Sequence, residues 1–302
     1  MELPLVSVLM TAYNRAAYIG AAIKSVQASS YTHWELIITD DCSTDGTVAI
    51  CEQFAAADAR IKLYRNPHNL GDYGNRNRAA SLATGIYLKY VDADDMIYPH
   101  TIAAMVQAME QHPSAAYGFS YFGPPNDAIH FPRLFTPQVA YQTHFLVQSF
   151  FYAGPGGAII RKAAFDAVGG FSGKRYVGDT ELWLRLSAQY DCVQFWPALL
   201  WWRQHDAQEN KYEQQDYQAL VSRHLLVMDA LSQAQVPLDA AAIAKAKRNF
   251  IRIYCHKIIR FMLTGNFTAV GILLKGYKVS ALQLIQSLLP VNKLQRLIGK
   301  GQ

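Results

Sequence analysis

The first 112 residues alternate between short apolar runs and longer segments in which apolar residues recur with helical spacing. The apolar runs predict buried strands at residues 5–11, 35–39, 61–64 and 86–91. The segments between them predict helices at residues 16–28, 45–57 and 73–83, and a fourth helix opened by Pro99. Ser43, Thr44 or Asp45 is expected to cap the second helix. This alternation predicts an α/β fold with a mostly parallel sheet and helices on both faces.

The C-terminal part of the chain differs in charge from the rest. Residues 240–302 contain eleven Lys and Arg residues and no Asp or Glu, whereas residues 1–239 contain 17 basic and 23 acidic residues. Residues 245–263 predict a helix with one basic and one apolar face. Such a tail suits the surface of an anionic membrane. The alternative is a helical pair that packs on the body of the protein or on a second subunit.

The composition limits the cellular locations and the binding partners that are expected for the protein. Four scattered cysteines without a CxxC pair favour a reducing compartment, and the N-terminal apolar run is too short for a signal peptide. The longest uncharged run of the tail is too short to span a bilayer. We therefore expect a cytoplasmic protein, peripheral on the cytoplasmic face of the inner membrane, with no nucleic-acid partner.

Three carboxylates directly follow the fourth predicted strand, at Asp92, Asp94 and Asp95. Carboxylates crowded at the end of a buried strand repel each other and are costly to desolvate. A Mg²⁺ or Mn²⁺ ion removes both problems, and such ions share their coordination with substrate phosphates. The motif therefore indicates a metal site that holds a diphosphate, although Asp residues at this place can also cap the next helix.

Polar residues also end the first two strands, at Thr11 and Tyr13 and at Asp40 and Asp41. The carboxyl ends of parallel strands meet at one edge of a sheet, which is where ligands bind in such folds. We therefore expect these residues to gather near the carboxylates Asp92–Asp95 and to strengthen the case for a metal-diphosphate site.

These motifs, in this order, resemble the family 2 glycosyltransferases, which are inverting enzymes with the GT-A fold. The matching pieces are Val6–Asn14, Asp40–Thr47, Asn69-Leu70-Gly71, Arg76-Asn77, Asp92–Asp95, Gly169-Gly170-Phe171 and Gly178–Arg185. The resemblance extends over about 200 residues and implies transfer of a sugar from a nucleotide-sugar. It also implies an acceptor on a lipid-linked or surface glycan.

The resemblance implies a nucleotide site after the first two strands. Thr11, Ala12, Tyr13 and Asn14 would surround the base and the ribose, with Tyr13 offering an aromatic face. Asp41 would accept a hydrogen bond from the base, and uracil carries a suitable imide donor. A UDP-sugar is therefore the expected donor.

The resemblance also implies how the diphosphate is held. Arg76 would pair with the nucleotide or the diphosphate, Asp92 would meet the ribose or the metal, and Asp94 and Asp95 would hold Mg²⁺ or Mn²⁺. The metal would act as a Lewis acid for the departing UDP. Two later residues would reach the diphosphate or the metal, Arg203 and His205, although His205 fits a surface loop equally well.

The expected catalytic base is Asp179. An inverting transfer needs one base to take the proton from the acceptor hydroxyl as it attacks the anomeric carbon. The competing interpretation is that Asp179 caps the helix predicted over residues 179–189. Glu181 would bind acceptor hydroxyls or act as a competing base, while Trp183 and Arg185 are expected to pack.

Departures of this sequence from the family pattern bear on which reaction is expected. The residue before the base is often acidic in the family, and here it is Gly178. The QxxRW motif of processive synthases is absent, and no multi-span membrane segment follows. Both absences favour transfer of a single sugar over polymerisation.

Two other functions compete with this one. A sugar-nucleotide nucleotidyltransferase would carry a Gly-rich loop after the first strand, but residues 12–16 are not Gly-rich. An inactive, membrane-associated scaffold is disfavoured because the carboxylates and Asp179 are present.

The expected organisation is a catalytic domain at 1–205, with a nucleotide-binding half at 1–112 and an acceptor-binding half at 113–205. A helical connector at 206–239 and the basic tail at 240–302 follow.

Overall fold

A computed structural model describes residues 3–121, 123, 130–205 and 216–288. Within these residues eight strands form one sheet in the order β3-β2-β1-β4-β7-β5-β8-β6. The strands are β1 Val6–Ala12, β2 Trp34–Asp40, β3 Ile61–Arg65, β4 Tyr87–Tyr90, β5 Ala115–Ser120, β6 Arg133–Phe135, β7 Ala158–Arg161 and β8 Asp191–Phe195.

The first four strands form the parallel half of the sheet. Strand β1 lies between β2 and β4 and is parallel to both, with Val8 opposite Leu36 on one side and Lys89 on the other. The helices between these strands are α1 Ile19–Gln27, α2 Thr47–Ala57 and α3 Gly71–Leu82, and helix α4, Thr101–Gln111, follows β4. Each predicted strand is found with its ends within two residues of the prediction, and the predicted α/β sheet is confirmed.

The expected cap of helix α2 is wrong in detail. The helix begins at Thr47 after Gly46, and none of Ser43, Thr44 and Asp45 is its N-cap residue. The Asp45 carboxylate instead accepts hydrogen bonds from the backbone N–H groups of Thr47, at 3.0 Å, and Ala16, at 3.1 Å. Asp45 therefore joins the start of α2 to the loop after β1.

The second half of the sheet begins with an antiparallel pairing. Strand β7 runs antiparallel to both β4 and β5, β8 is parallel to β5, and β6 is antiparallel to β8. Helix α6, Lys162–Ala167, follows β7, and helix α7, Gly178–Ser187, precedes β8. The long apolar runs of β1 and β2 are buried because helices cover both faces of the sheet.

The chain divides into two compact units. The first comprises residues 1–136, 153–173 and 178–204 and contains the whole sheet; the second comprises residues 137–152, 174–177 and 205–302. Residues 137–152 and 174–177 cluster with the C-terminal helices. The expected division into a catalytic domain, a connector and a tail stays a prediction.

The second unit is helical. Its helices are α5 Pro137–Gln142, α8 Tyr217–Ala230, α9 Ala240–Leu263, α10 Phe267–Gly276 and α11 Ala281–Ser287. Tyr254, Ile258, Val270 and Leu273 form its buried cluster, and the Tyr254 hydroxyl donates to the Leu273 carbonyl at 2.8 Å. Residues 206–215 of the expected connector and 289–302 of the expected tail lie outside the described residues. Among the described helices, none is both long and apolar enough to cross a bilayer.

Candidate active site

The loops that follow β1 and β2 are tied together by hydrogen bonds. The backbone N–H of Asn14 donates to Ser43 Oγ at 2.9 Å, and the Thr44 N–H donates to Asn14 Oδ1 at 2.8 Å. Asn14 and Cys42 both have positive φ, at 51° and 68°. These turns leave the Tyr13 ring 49% exposed at the carboxyl edge of the sheet, while Ala12 is buried.

The Asp41 carboxylate is buried and already has three donors. Asn66 Nδ2 and the Leu70 N–H donate to its Oδ1, both at 2.8 Å, and the Gly71 N–H donates to its Oδ2 at 2.9 Å. These bonds anchor the start of helix α3 beside the loop after β2. One of about four lone-pair positions of the carboxylate remains for a nucleotide base, so the contact with uracil stays a prediction.

Arg76 on helix α3 lies buried among carboxylates. Its Nε contacts Asp72 and its Nη2 contacts Asp92, both at 2.8 Å. Burial alone would lower the pKa of this guanidinium, but Asp92, Asp72 and Asp179 together hold the pKa well above its usual value. Nη1 is buried and has no hydrogen-bond partner among the residues that the structure describes. The expected role of Arg76 at the diphosphate stays a prediction.

The carboxylates that follow β4 face two arginines. Arg15 Nε contacts Asp94 Oδ2 at 3.0 Å. The Arg203 N–H donates to Asp95 Oδ1 at 3.0 Å, and Arg203 Nε donates to the Asp94 carbonyl at 2.8 Å. Arg203 therefore lies beside Asp94 and Asp95, and its role at the diphosphate stays a prediction. The contribution of Arg15 was missed, and its position one residue after the nucleotide loop is the signal that could have found it.

The donor set after β4 suits a divalent cation. Burial, with the adjacent charges of Asp92 and Asp94, raises the pKa of Asp95 to about 7. A bound cation would relieve this repulsion, and Mg²⁺ or Mn²⁺ needs only one or two carboxylates when phosphates complete its shell. Within the described ranges no three His, Cys, Asp or Glu side chains are grouped to hold a metal ion alone. Asp94 and Asp95 therefore fit a metal that is shared with a diphosphate.

Asp179 lies in the first turn of α7, which begins at Gly178. Since the helix already includes Gly178, Asp179 is not the N-cap residue that the competing interpretation required. Its Oδ2 lies 3.9 Å from the position that a Cβ on Gly154 would occupy. Burial and the Asp179 charge raise the pKa of Tyr73, and Asp179 also acts on Arg76. Asp179 is thus half-buried within electrostatic reach of the arginine that contacts Asp92.

The other predicted residues of α7 have structural contacts. The Glu181 carboxylate is buried and lies 3.2 Å from Arg185 Nη2, and the Arg185 guanidinium also donates to the Val168 and Gly170 carbonyls. Trp183 is buried, as expected, and its Nε1 donates to the Ala153 carbonyl at 2.7 Å. The acceptor-binding role of Glu181 stays a prediction.

The structure does not bring all the predicted residues into one unit. Thr11, Tyr13, Asp41, Arg76, Asp94, Asp95, Asp179 and Arg203 belong to the first unit, whereas His205 belongs to the second. The proposed metal contact of His205 therefore stays a prediction.

Comparison with known structures identifies the fold. TarS of S. aureus, solved in complex with UDP-GlcNAc, superposes with a TM-score of 0.63 at 18% identity, covering 94% of this chain and 79% of that chain. The mannosyltransferase PcManGT of Pyrobaculum calidifontis, solved with GDP-Man and Mn²⁺, superposes with a TM-score of 0.63 at 18% identity, covering 95% of this chain and 85% of that one. The fold is therefore the expected GT-A fold of nucleotide-sugar transferases.

Comparison of sequences identifies the family. The family described as "Glycosyl transferase family 2" matches residues 7–169. The chain therefore belongs to glycosyl transferase family 2, a family of transferases, and the expectation from its motifs is confirmed.

The curated relatives match only part of their own length, between 12% and 55% for the first three. One relative is the Escherichia coli protein WfgD, a UDP-Glc:alpha-D-GlcNAc-diphosphoundecaprenol beta-1,3-glucosyltransferase. It is 36% identical over 105 residues, which cover 35% of this chain and 41% of WfgD.

Proposed function

We propose that this protein transfers a single sugar, with inversion, from a UDP-sugar to a hydroxyl of a lipid-linked or surface glycan. The observation that carries the proposal is the position of Arg76. This buried arginine contacts Asp92, beside the metal motif, and interacts electrostatically with Asp179. A donor diphosphate held by Arg76 would therefore lie close to both the metal carboxylates and the proposed base.

The residues divide the chemistry as follows. The Asp179 carboxylate takes the proton from the acceptor hydroxyl while that oxygen attacks the anomeric carbon, and the bond from this carbon to the UDP oxygen breaks. Arg76 donates through Nη1 to the diphosphate, on which negative charge develops. Mg²⁺ or Mn²⁺, held by Asp94 and Asp95, would supply Lewis acidity at the diphosphate. Arg203 keeps Asp95 oriented through its backbone N–H.

The donor and the acceptor are proposed from two kinds of support. Tyr13 offers an exposed aromatic face next to the loop that carries Asp41, and this pair suits a uracil base. WfgD uses UDP-glucose and a diphosphoundecaprenol-linked sugar, and TarS was solved with UDP-GlcNAc. We extend the UDP-sugar and the lipid-linked acceptor to this chain by analogy with those proteins.

We also propose that the second unit attaches the protein to an anionic membrane at the cytoplasmic face. Five apolar side chains of its C-terminal helices are more than 60% exposed: Leu263, Phe267, Leu282, Ile285 and Leu288. Several Lys and Arg residues of the same segment are also exposed: Lys245, Arg248, Lys257, Arg260, Lys275 and Lys278. Exposed apolar side chains next to cations suit insertion among anionic lipid headgroups.

The central test compares UDP release with UDP binding in the Asp179→Asn variant. Removing a general base lowers the rate of transfer by about 10²–10⁴-fold, while UDP binding should persist because the diphosphate contacts remain. The matched control is Asp166→Asn, at an exposed carboxylate paired with Lys162. Full turnover by Asp179→Asn would refute the assigned base. Absence of UDP release by the unmodified protein would favour the inactive scaffold.

The membrane proposal has its own test. A double variant, Phe267→Glu with Ile285→Glu, should lose binding to vesicles that contain phosphatidylglycerol. The control variant, Leu3→Glu, changes an exposed apolar residue of the first unit and should bind as before. Equal binding by both variants would instead favour packing of the tail on a partner subunit.

A further inference from the structure

Lys89 is a buried cation that the proposed chemistry does not use. It lies on β4 between Leu88 and Tyr90 in the sequence, and its side chain is fully buried. Burial lowers its pKa to about 7, against the opposing effect of Asp92 and Asp95. Burying an ammonium group is costly unless it gains specific partners. The partners of Lys89 therefore show what the residue does.

The Lys89 ammonium group holds two backbone carbonyls. It donates to the carbonyl of Tyr90 at 2.9 Å and to the carbonyl of Gly156, which lies 67 residues further along the chain. Gly156 lies within the single 3₁₀ turn Pro155–Gly157, which is closed by a bond from the Gly157 N–H to the Gly154 carbonyl at 2.9 Å. The Lys89 side chain thus connects β4 to this turn.

The same turn lies against the proposed base. The Asp179 Oδ2 atom is 3.9 Å from the position of a Cβ on Gly154. Trp183, which lies on the same helix as Asp179, donates a hydrogen bond to the Ala153 carbonyl at 2.7 Å. The backbone of residues 153–157 is therefore held by Lys89 at one end and by Trp183 at the other.

We propose that Lys89 is a positioning residue that holds the 154–157 turn against Asp179, and that this turn forms the acceptor side of the site. The inference rests on the proposed function, in which Asp179 takes the proton from the acceptor. Because Gly154 lacks a side chain, no Cβ occupies the position 3.9 Å from Asp179 Oδ2, and an acceptor hydroxyl that reached this carboxylate would lie beside the turn. Lys89 also links the strand that ends in the metal carboxylates to the turn beside the base.

The decisive variant is Lys89→Met, which keeps the length and the apolar packing of the side chain but removes the donor. Hydrogen exchange followed by mass spectrometry should show faster exchange at residues 153–158, with no change in β1 and β2. The matched control is Lys62→Met, at a lysine of β3 that contacts Glu35 and not the turn. Unchanged exchange at residues 153–158 in Lys89→Met would overturn the proposal, whether or not the protein proves to be a transferase.

The kinetic readout separates positioning from a general loss of structure. With UDP-glucose as donor and an N-acetylglucosaminyl diphosphate lipid as acceptor, Lys89→Met should raise the acceptor KM about 10-fold or more. Its affinity for UDP, measured by calorimetry, should stay within about twofold of the unmodified protein, because the nucleotide contacts are intact. Faster exchange with an unchanged acceptor KM would refute the acceptor-side placement. A lack of turnover in the unmodified protein would refute the proposed function and leave the exchange result to decide whether Lys89 holds the turn.

Discussion

The ring of Tyr73 fills the space that a side chain at position 178 would need. Its Cε2 atom lies 2.6 Å from the place where a Cβ on Gly178 would sit, which is closer than real Cβ contacts come. Tyr73 also stacks on Phe171, with ring centroids 5.2 Å apart. This packing explains why glycine precedes Asp179 here, although an acidic residue is common at that position in the family.

A first prediction follows from this contact. Gly178→Ala should lower the free energy of unfolding by about 1–3 kcal/mol, the usual cost of overpacking a filled core. The cost should shrink when Tyr73 is also changed to Ala, because the ring that collides is then absent. Denaturant unfolding of the single and double variants measures both values.

The matched control for that experiment is Gly271→Ala. Gly271 lies inside helix α10 and has open space where a Cβ would sit, so alanine there should be neutral or stabilising by about 0.5–1 kcal/mol. An equal cost of Gly178→Ala with and without Tyr73 would show that backbone conformation, not the ring, requires the glycine.

A second prediction concerns the buried arginine. Arg76→Met removes the cation that faces Asp92 and should lower the free energy of unfolding by roughly 3 kcal/mol, because a charge is left without its partner. UDP affinity should fall as well, since the Nη1 donor is lost. Thermal unfolding and calorimetry give the two values, with Arg78→Met, an exposed arginine on the same helix, as the control. Unaltered UDP affinity in a folded Arg76→Met protein would exclude the diphosphate contact.

A third prediction concerns pH. Burial of Glu35 would raise its pKa, but hydrogen bonds from Lys62, Thr84 and Ser7 outweigh this effect and lower the pKa to about 2. A carboxylate with a lowered pKa in the folded state stabilises the fold above its ordinary pKa, and this stability is lost as the pH falls towards the folded value. The protein should therefore be about 2–3 kcal/mol more stable than Glu35→Gln at neutral pH.

The difference should diminish as the pH falls from about 4.5 towards 2. Urea unfolding at a series of pH values would measure it, and Glu52→Gln, at an exposed carboxylate of α2, should show no such trend. A difference that stayed constant down to pH 3 would contradict the lowered pKa.

A fourth prediction concerns Asp95, whose carboxylate should affect the stability of the ligand-free protein and the binding of metal in opposite ways. Asp95→Asn removes a buried charge that Asp92 and Asp94 repel, so the protein without ligands should be as stable as before or more stable. The additional stabilisation by UDP with Mn²⁺, about 2.7 kcal/mol at a ligand concentration of 100 Kd, should be lost. Thermal shift with UDP, with and without Mn²⁺, measures both changes, and EDTA should reproduce the second one in the unmodified protein. Full Mn²⁺-dependent stabilisation of Asp95→Asn would remove Asp95 from the metal site.

The sequence predicted the parallel half of the sheet well because β1, β2 and β4 are buried on both faces and are therefore mostly apolar, with few polar residues inside them. The meeting of the loops after β1, β2 and β4, which the bonds of Asn14 with Ser43 and of Arg15 with Asp94 join, followed from the same topology, since parallel strands end at one edge. These features depend on local pattern and on a general rule of sheet topology.

Other features depend on contacts between distant segments and left no local signal. Lys89 interrupts an apolar strand, and only the approach of Gly156 shows why a cation can be buried there. Asp41 could be placed at the nucleotide edge, but its bonds to Leu70 and Gly71 depend on where helix α3 begins. The clustering of residues 137–152 with the C-terminal helices was equally invisible in the sequence.

The pairing of β4 with β7 has a consequence for folding. Tyr87 pairs with Arg161 and Leu88 with Ile160, so this junction closes a loop of more than 70 residues, whereas β1, β2 and β3 pair over shorter separations. Closing longer loops costs more chain entropy. We therefore expect the parallel strands β1–β3 to assemble first and the junction at β4 to form late. The proposed base and the metal carboxylates would then come together only in the last stage of folding, so that a partly folded chain would be without activity.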